Sequence, residues 1–329
     1  MEDLLSKFKG AFLGSALGDA IGKALEDVPK EESISFYGGE VRGFVEAHPS
    51  SPSINLEPHH TSDETTISVI LAESIVEKGQ IDPFDFFERL KRWHKREELH
   101  RYPDPTLLTA IDLISQGVGL DDAGLVSFSV EGILRCSVVG LFHYYNPYIT
   151  AEGSRLVSLI THRSKEIYDA SAMYGCAISY LITESFDLSK QEDKELFLET
   201  LTTFAKYEQS KRYISKVGEL LKSSKSVEEA ILELGNSTYV FEAFPLALFI
   251  FLRYSKDPLD AFWEAVNACG PAGGDTDAIG YMVGSMVGAY WGIEVFPQEL
   301  LENLENYEYY IKLTERLYDK TMEFIERRS

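Results

Sequence analysis

The chain has 329 residues, 44% of them hydrophobic, with 31 Lys and Arg against 53 Asp and Glu and a formal net charge of -22. That length can bury a substantial core as one large or two ordinary domains, and the hydrophobic fraction is that of a soluble globular protein. The acidic field excludes nucleic acid and anionic membranes as partners by bulk electrostatics, and it obliges any phosphorylated ligand to arrive with bound cations or a local cluster of donors.

Met1 to about Gly22 reads as the first helix, apolar at Leu4, Leu5, Phe8, Phe12, Leu13, Leu17 and Ile21, with Asp19 and Glu26 near its exit. Its charged residues argue against a signal peptide. Gly10, Gly14, Gly18 and Gly22 recur at every fourth place, a spacing that clears one side of a helix for another backbone. Residues 27 to 60 lose periodicity and are punctuated by Pro29, Gly38, Gly39, Gly43, Pro49, Pro52 and Pro58. This long segment reads as a lid or as a plain surface excursion, with short extended pieces at Ile34 to Phe36 or Val41 to Val45.

Thr61-Ser62-Asp63-Glu64-Thr65-Thr66 leads into a helix stopped by Gly79. Ser62 and Asp63 suit an N-terminal cap, but three consecutive oxygen-bearing side chains exceed what one cap requires. Pro83 to Arg101 reads as a charged outer helix, and Thr106 to Gly117 as another. Val130 to Tyr145 is apolar apart from Glu131, Arg135 and His143, and Arg135 there needs a carboxylate or phosphate, an internal ion pair being the plainer choice. His162 precedes a helix over Lys165 to Leu181 and serves either as cap or as a satisfied interior histidine. Asp187 to Ser226 has helical spacing, Ser237 to Tyr254 reads as an apolar helix containing Pro245, and Asp257 to Asn267 follows. Gly270 to Gly292 is a glycine-rich loop delivering Asp275 and Asp277, then an uncharged helix striped by Gly280, Gly284, Gly288 and Gly292. The two stripes predict that the first and last thirds of the chain pack together. Pro297 to Ser329 completes the chain as one or two amphipathic helices.

No period-two alternation and no fixed repeat occur, so the fold class is all-α, a compact orthogonal multi-helix array in one domain over residues 1–329. The uncharged run from Ala278 to Ile293 falls short of the roughly 18 residues that a membrane span needs. Cys136, Cys176 and Cys269 are scattered and read as reduced core thiols of a cytoplasmic protein.

Ser62-Asp63-Glu64 and Asp275-Thr276-Asp277 each precede a helix. Neighbouring carboxylates repel, and a divalent cation relieves that repulsion; oxygen donors without thiolates favour Mg2+ or Mn2+ over Zn2+. His59 and His60 have neither a His-Glu-x-x-His helix nor a Cys pair to complete a zinc site.

In order and approximate spacing, Gly18-Asp19-Ala20-Ile21-Gly22 with Glu26, Ser62-Asp63-Glu64-Thr65, Ile160-Thr161-His162, and Gly273-Gly274-Asp275-Thr276-Asp277 with Gly284, Gly288 and Gly292 resemble the ADP-ribosylglycohydrolase family. The resemblance spans Phe8 to about Pro297. It implies an all-α fold holding two Mg2+ ions and hydrolysis of the bond joining ADP-ribose to a protein side chain or small acceptor. By that similarity Ser62, Asp63, Glu64, Asp275 and Asp277 would be metal ligands, Glu26 and Asp63 catalytic, His162, Gly132, Gly273 and Gly274 substrate-binding, and residues 27 to 60 a lid. Two cations would also offset the repulsion between a diphosphate and so acidic a protein.

The chain departs from the family pattern in three places: Ser62-Asp63-Glu64 stands for the usual Thr-Asp-Asp, Ala278 for a hydroxyl residue, and Val130-Glu131 for Asn-Gly. Crystallin-like proteins share the resemblance, so a member that binds ADP-ribose or serves structurally without turnover is the alternative expectation.

Overall fold

The computed structural model describes residues 2–328; Met1 and Ser329, the ends of the predicted first helix and tail, lie outside the described residues. Helices follow one another as α1 (Glu2–Gly22), α2 (Lys30–Tyr37), α3 (Asp63–Lys78), α4 (Pro83–His94), α5 (Pro105–Ser115), α6 (Glu131–Leu134), α7 (Cys136–Phe142), α8 (Pro147–Leu159) and α9 (Lys165–Ile182). The second half adds α10 (Gln191–Thr202), α11 (Glu208–Leu221), α12 (Val227–Leu234), α13 (Val240–Arg253), α14 (Pro258–Val266), α15 (Thr276–Trp291), α16 (Gln298–Asn303) and α17 (Tyr307–Glu326). Among the described residues the only extended pairings are isolated bridges, including Leu125 with His162 and Ser129 with Tyr239. The all-α class is therefore what the structure shows.

The core is organised on the antiparallel pair α1 and α15. A side chain at Gly18 would overlap the Gly280 carbonyl, one at Gly14 the Gly284 carbonyl, and one at Gly10 the backbone at Gly288 and Gly292. The two stripes thus interlock backbone to backbone, as the sequence spacing predicts. Glycine costs roughly 1 kcal/mol per residue in helix propensity against alanine, and the close approach returns that in dispersion contacts. At the far end Gly22 lies against Thr276, whose hydroxyl donates to the Gly22 carbonyl at 2.7 Å. Both helices are buried on all sides over most of their length, which is why their sequences lack a polar face.

Local chemistry sets the ends of the site-bearing helices. Ser62 caps α3 by accepting the Glu64 N–H at 3.4 Å, and Gly79, at φ 67°, ends it. Asp275 caps α15 by accepting the Ala278 N–H at 3.4 Å.

Several expectations need correction. Residues 30–37 form α2, with Pro29 before it and Gly38, at φ 74°, after it, in place of an irregular or extended piece. Its helical pattern is too short and too polar to register as periodicity. The segment predicted from Pro83 to Arg101 stops at His94, and the Val130 to Tyr145 segment breaks at Arg135 into α6 and α7. Helices α8 and α12 fall in stretches for which the sequence had given no helix. The remainder of the 27–60 segment is tied to the turn after α1: the His48 N–H donates to the Ala24 carbonyl at 3.0 Å and the Ser51 hydroxyl to the Lys23 carbonyl at 2.8 Å.

Candidate metal centre

Where α1, α3 and α15 converge, two groups of three carboxylates offer oxygens that all lie within 4.8 Å of one another: Asp19, Glu64 and Asp277, and Glu26, Asp275 and Asp277. Asp277 belongs to both. The sequence had Glu26, Glu64, Asp275 and Asp277 as site residues; Asp19, a member of one triad, was not among the candidate ligands, although it stood inside one of the motifs. The signal available was a lone carboxylate amid the small and apolar residues of a helix that has no solvent face.

Asp19 is held from one side. Its Oδ2 accepts the Thr65 hydroxyl at 2.6 Å and the Ser62 N–H at 2.9 Å, while its Oδ1 is buried without a partner. Asp63 stands outside both triads with the same division: Oδ2 accepts the Arg101 N–H at 2.7 Å, and Oδ1 is buried and unpartnered. Glu64 Oε2 is a third such atom. Buried carboxylate oxygens normally find hydrogen-bond donors, and three orphans beside one cluster are the pattern that a hard cation satisfies. The Ser62 hydroxyl is engaged as the α3 cap. Thr276 turns to α1, and Ala278 contributes only its N–H, which donates to Asp277 Oδ1 at 3.0 Å.

Electrostatics agree. Burial, then the Asp277 and Asp27 charges, push the Glu26 carboxyl up to about 10; burial raises Asp63 to about 6 and, reinforced by Glu26, Asp275 to about 7. Burial raises Asp19 against its hydrogen bonds and Lys23, and burial with neighbouring acids raises Glu64, Asp277 and Glu131. So dense a cluster holds protons unless a cation replaces them. A positive charge close behind it, Lys23, is itself buried and driven down to about 8, its Nζ donating to the Ala20 and Pro58 carbonyls at 2.9 and 3.2 Å.

Glu131, Asp104, Arg135 and His162 line a small internal cavity with Asp63 and Glu64. His162 is fully buried; burial keeps it neutral, its Nε2–H donates to Asp104 Oδ2 at 2.6 Å, and its Nδ1 accepts the Thr161 hydroxyl at 2.8 Å. This is the satisfied interior histidine of the sequence reading, placed one layer behind the carboxylates. Arg135 donates to the Val157 carbonyl at 3.3 Å and to Thr161 Oγ1 at 3.1 Å, so its hydrogen bonds go to neutral oxygens and not to the expected carboxylate.

The three glycines expected at the substrate face the chain itself. A Cβ at Gly132 would come within 2.7 Å of the His162 ring, and one at Gly273, whose φ is 97°, within 2.6 Å of the Asp27 backbone. Gly274 abuts Asn236, whose carbonyl accepts the Asp275 N–H at 2.8 Å. Gly273 and Gly274 therefore let the Glu26–Asp27 turn close on the loop carrying Asp275, and the Asp27 N–H donates to the Gly274 carbonyl at 2.9 Å.

The residues that lead into Glu131 carry one ring of an aromatic pair. The segment 125–131 ends on Glu131 and pairs with the segment 236–240, which begins on Asn236; the Val130 N–H donates to the Thr238 carbonyl and the Val240 N–H to the Phe128 carbonyl, both at 2.8 Å. Phe128, 46% exposed, packs edge-on to Tyr239 at 6.2 Å.

Comparison with known proteins places residues 1–324 under the family model described as ADP-ribosylglycohydrolase. An uncharacterized protein of Archaeoglobus fulgidus is 30% identical over 97% of this chain and 98% of its own. Human ADP-ribosylhydrolase ARH3 is 26% identical over 80% of each chain, and the ADP-ribosylarginine hydrolase Tri1 of Pseudomonas putida 22% identical over 97% of this chain and 80% of its own. A solved structure titled ADP-ribosylglycohydrolase-related protein complex superposes with a TM-score of 0.74 at 24% identity, covering 98% of this chain and 100% of that one.

Proposed function

The chain belongs to the ADP-ribosylglycohydrolase family, and from that premise we propose that it is a divalent-cation-dependent hydrolase of ADP-ribose conjugates, acting in the cytoplasm as a single domain over residues 1–329. The observation that carries the reading is the pair of carboxylate triads sharing Asp277. Asp19, Glu64, Asp275 and Asp277 would hold the cations, with Asp63 beside them; all-oxygen donors favour Mg2+, then Mn2+. When bound, such ions supply charge neutralisation for the diphosphate and polarise a water and the ribose hydroxyls.

The remaining work falls to the chain. Water adds through its oxygen to the anomeric carbon, the bond from that carbon to the acceptor nitrogen or oxygen breaks with its electron pair, and the acceptor leaves with a proton. Glu26 is the partly exposed member of its triad, the other two being buried. It is the donor to the leaving acceptor. Asp63, with one oxygen fixed by Arg101 and the other buried without a partner, would receive the proton lost by water. Phe128, partly exposed and braced edge-on by Tyr239, would offer its ring face to the purine, a short reach along the chain from Glu131. His162 supports the wall of this pocket through Gly132 instead of touching the substrate. Three buried free thiols accord with a reducing compartment, and among the described residues no helix is long and apolar enough to cross a membrane.

Incubation of purified protein and Mg2+ with ADP-ribosyl-arginine, ADP-ribosyl-serine and O-acetyl-ADP-ribose tests the reading; release of ADP-ribose from at least one is expected, and release from none of these or related conjugates rejects it. The second reading, a binder without turnover, draws on the Glu131 carboxyl occupying the cavity beside Glu64. Calorimetry showing tight ADP-ribose binding in a protein that hydrolyses nothing would favour it.

A further inference from the structure

Glu305 lies between α16 and α17, more than two hundred residues from any carboxylate of the N-terminal cluster, and both of its oxygens face that cluster's supports. Its Oε1 accepts the Thr61 N–H at 2.7 Å and the Thr61 hydroxyl at 3.1 Å. Both arms of the Arg101 guanidinium reach it, one directly onto Oε1 and the other onto Oε2 at 3.2 Å. Arg101 Nη1 also donates to the Thr61 carbonyl at 2.9 Å. The Arg101 main chain then grips Asp63 from both directions: its N–H donates to Asp63 Oδ2 at 2.7 Å, and its carbonyl accepts the Asp63 N–H at 3.3 Å. Glu305 is anchored in turn, since its own N–H donates to the His59 carbonyl at 3.2 Å.

We infer that Glu305 is a positioning residue for the cation site, acting on Asp63 through Arg101 and on the Ser62–Glu64 turn through Thr61. The inference rests on the reading of Asp63 and Glu64 as groups that face the cation. A forked carboxylate–guanidinium pair fixes orientation as well as distance. Here it locks a backbone segment with no regular structure of its own, residues 100–104, against the first turn of α3. The unpartnered Asp63 Oδ1 is aimed by that lock: with Oδ2 committed to Arg101, the carboxylate cannot rotate away from the cluster. Burial opposes the Glu305 charge, but the Arg101 fork and the Thr61 N–H outweigh it and hold its carboxyl below the usual range, so it keeps its charge beside the guanidinium.

The test is Mn2+ affinity of the folded chain, read by the paramagnetic resonance of free Mn2+ well below the melting transition. Outer-shell partners of metal ligands typically contribute 10- to 100-fold to affinity, and Glu305→Gln is expected to weaken Mn2+ binding by that factor. Arg101→Lys, which keeps the charge but loses the fork, is expected to weaken it by a smaller factor and guards against misfolding of the first variant. Asp169→Asn serves as the control: that buried carboxylate accepts the Lys206 and Tyr207 N–H groups away from the site, so its loss lowers stability without touching the cluster. It should leave Mn2+ affinity within about twofold of the wild type. Wild-type affinity in both Glu305→Gln and Arg101→Lys, or an equal loss in Asp169→Asn, overturns the positioning role. A wild-type protein that binds no Mn2+ overturns the cation reading itself, and is recognised before any variant is made.

Discussion

The α1–α15 pair has two ends built on opposite physics. From Gly10 to Gly18, against Gly280 to Gly292, the helices approach as closely as backbones can, and no buried charge intervenes. One turn further, Asp19 and Asp277 bring like charges together in the same dry interior. The glycine end is determined by shape and tolerates no added atom. The acidic end is electrostatically unsatisfied and holds together because the first end leaves it no freedom to separate. Sites that need charge in the wrong place are generally held by a scaffold that is over-determined elsewhere.

The largest expected effect comes from breaking the rigid end. Gly18→Ala places a methyl inside the Gly280 carbonyl, and overpacking of backbone against backbone should cost about 3 kcal/mol or more, seen as a drop in melting temperature or loss of folded protein in circular dichroism. Next is Asp277→Asn at the other end. Hydrolysis should fall by about 100- to 1,000-fold, the usual loss when one preorganised electrostatic group is removed, while the cation-free melting temperature stays level or rises, because a buried repulsion is gone. A parallel loss of stability would show that the two ends are not separable in this way.

The cation-free protein should also show an inverted pH response. Asp63 and Asp275 titrate near 6 and 7 in the folded chain, above the ordinary value near 4 for Asp. The folded state therefore binds more protons than the unfolded state between those limits. Their contribution to stability is present below pH 4 and is lost as pH rises towards 7, on the order of 1 kcal/mol per pH unit. Saturating Mg2+ should flatten this slope, and urea titrations of wild type and Asp275→Asn with and without Mg2+ will measure it. The smallest effect belongs to Phe128→Ala: KM for an ADP-ribose conjugate should rise about 10-fold, in line with the loss of one base–aromatic stack, with kcat and melting temperature little changed.

The glycine stripes and their packing against each other were legible because a period of four in so costly a residue has few explanations, whereas their antiparallel registry emerged only from the structure. Glu64, Asp275 and Asp277 were legible for a similar reason, standing at loop-to-helix junctions where carboxylates crowd, whereas Glu26 entered only through the family resemblance. Asp19 was not, since a single acid near a helix end reads as an exit to solvent; its burial depends on Thr65, forty-six residues away. The Arg135 contacts with Thr161 and the Asp104–His162 pair were hidden likewise, being made by residues that only the fold brings together. Helix α2 escaped because one face of a short polar helix buries little. At Gly132, Gly273 and Gly274 the missing side chain admits His162, Asp27 and Asn236, close approaches between residues far apart in sequence that only the fold reveals.

The pairing of α1 with α15 also sets a schedule for synthesis. Gly18 leaves the ribosome long before Gly280 is made, and at 5–20 residues per second the delay is on the order of tens of seconds. Throughout that interval the nascent chain carries a central helix without its partner, its glycine stripe uncovered. Contacts so distant in sequence also form slowly after release. Premature termination anywhere before Trp291 would leave α1 without its full partner, so truncated products should be held by chaperones or degraded rather than accumulate as folded fragments.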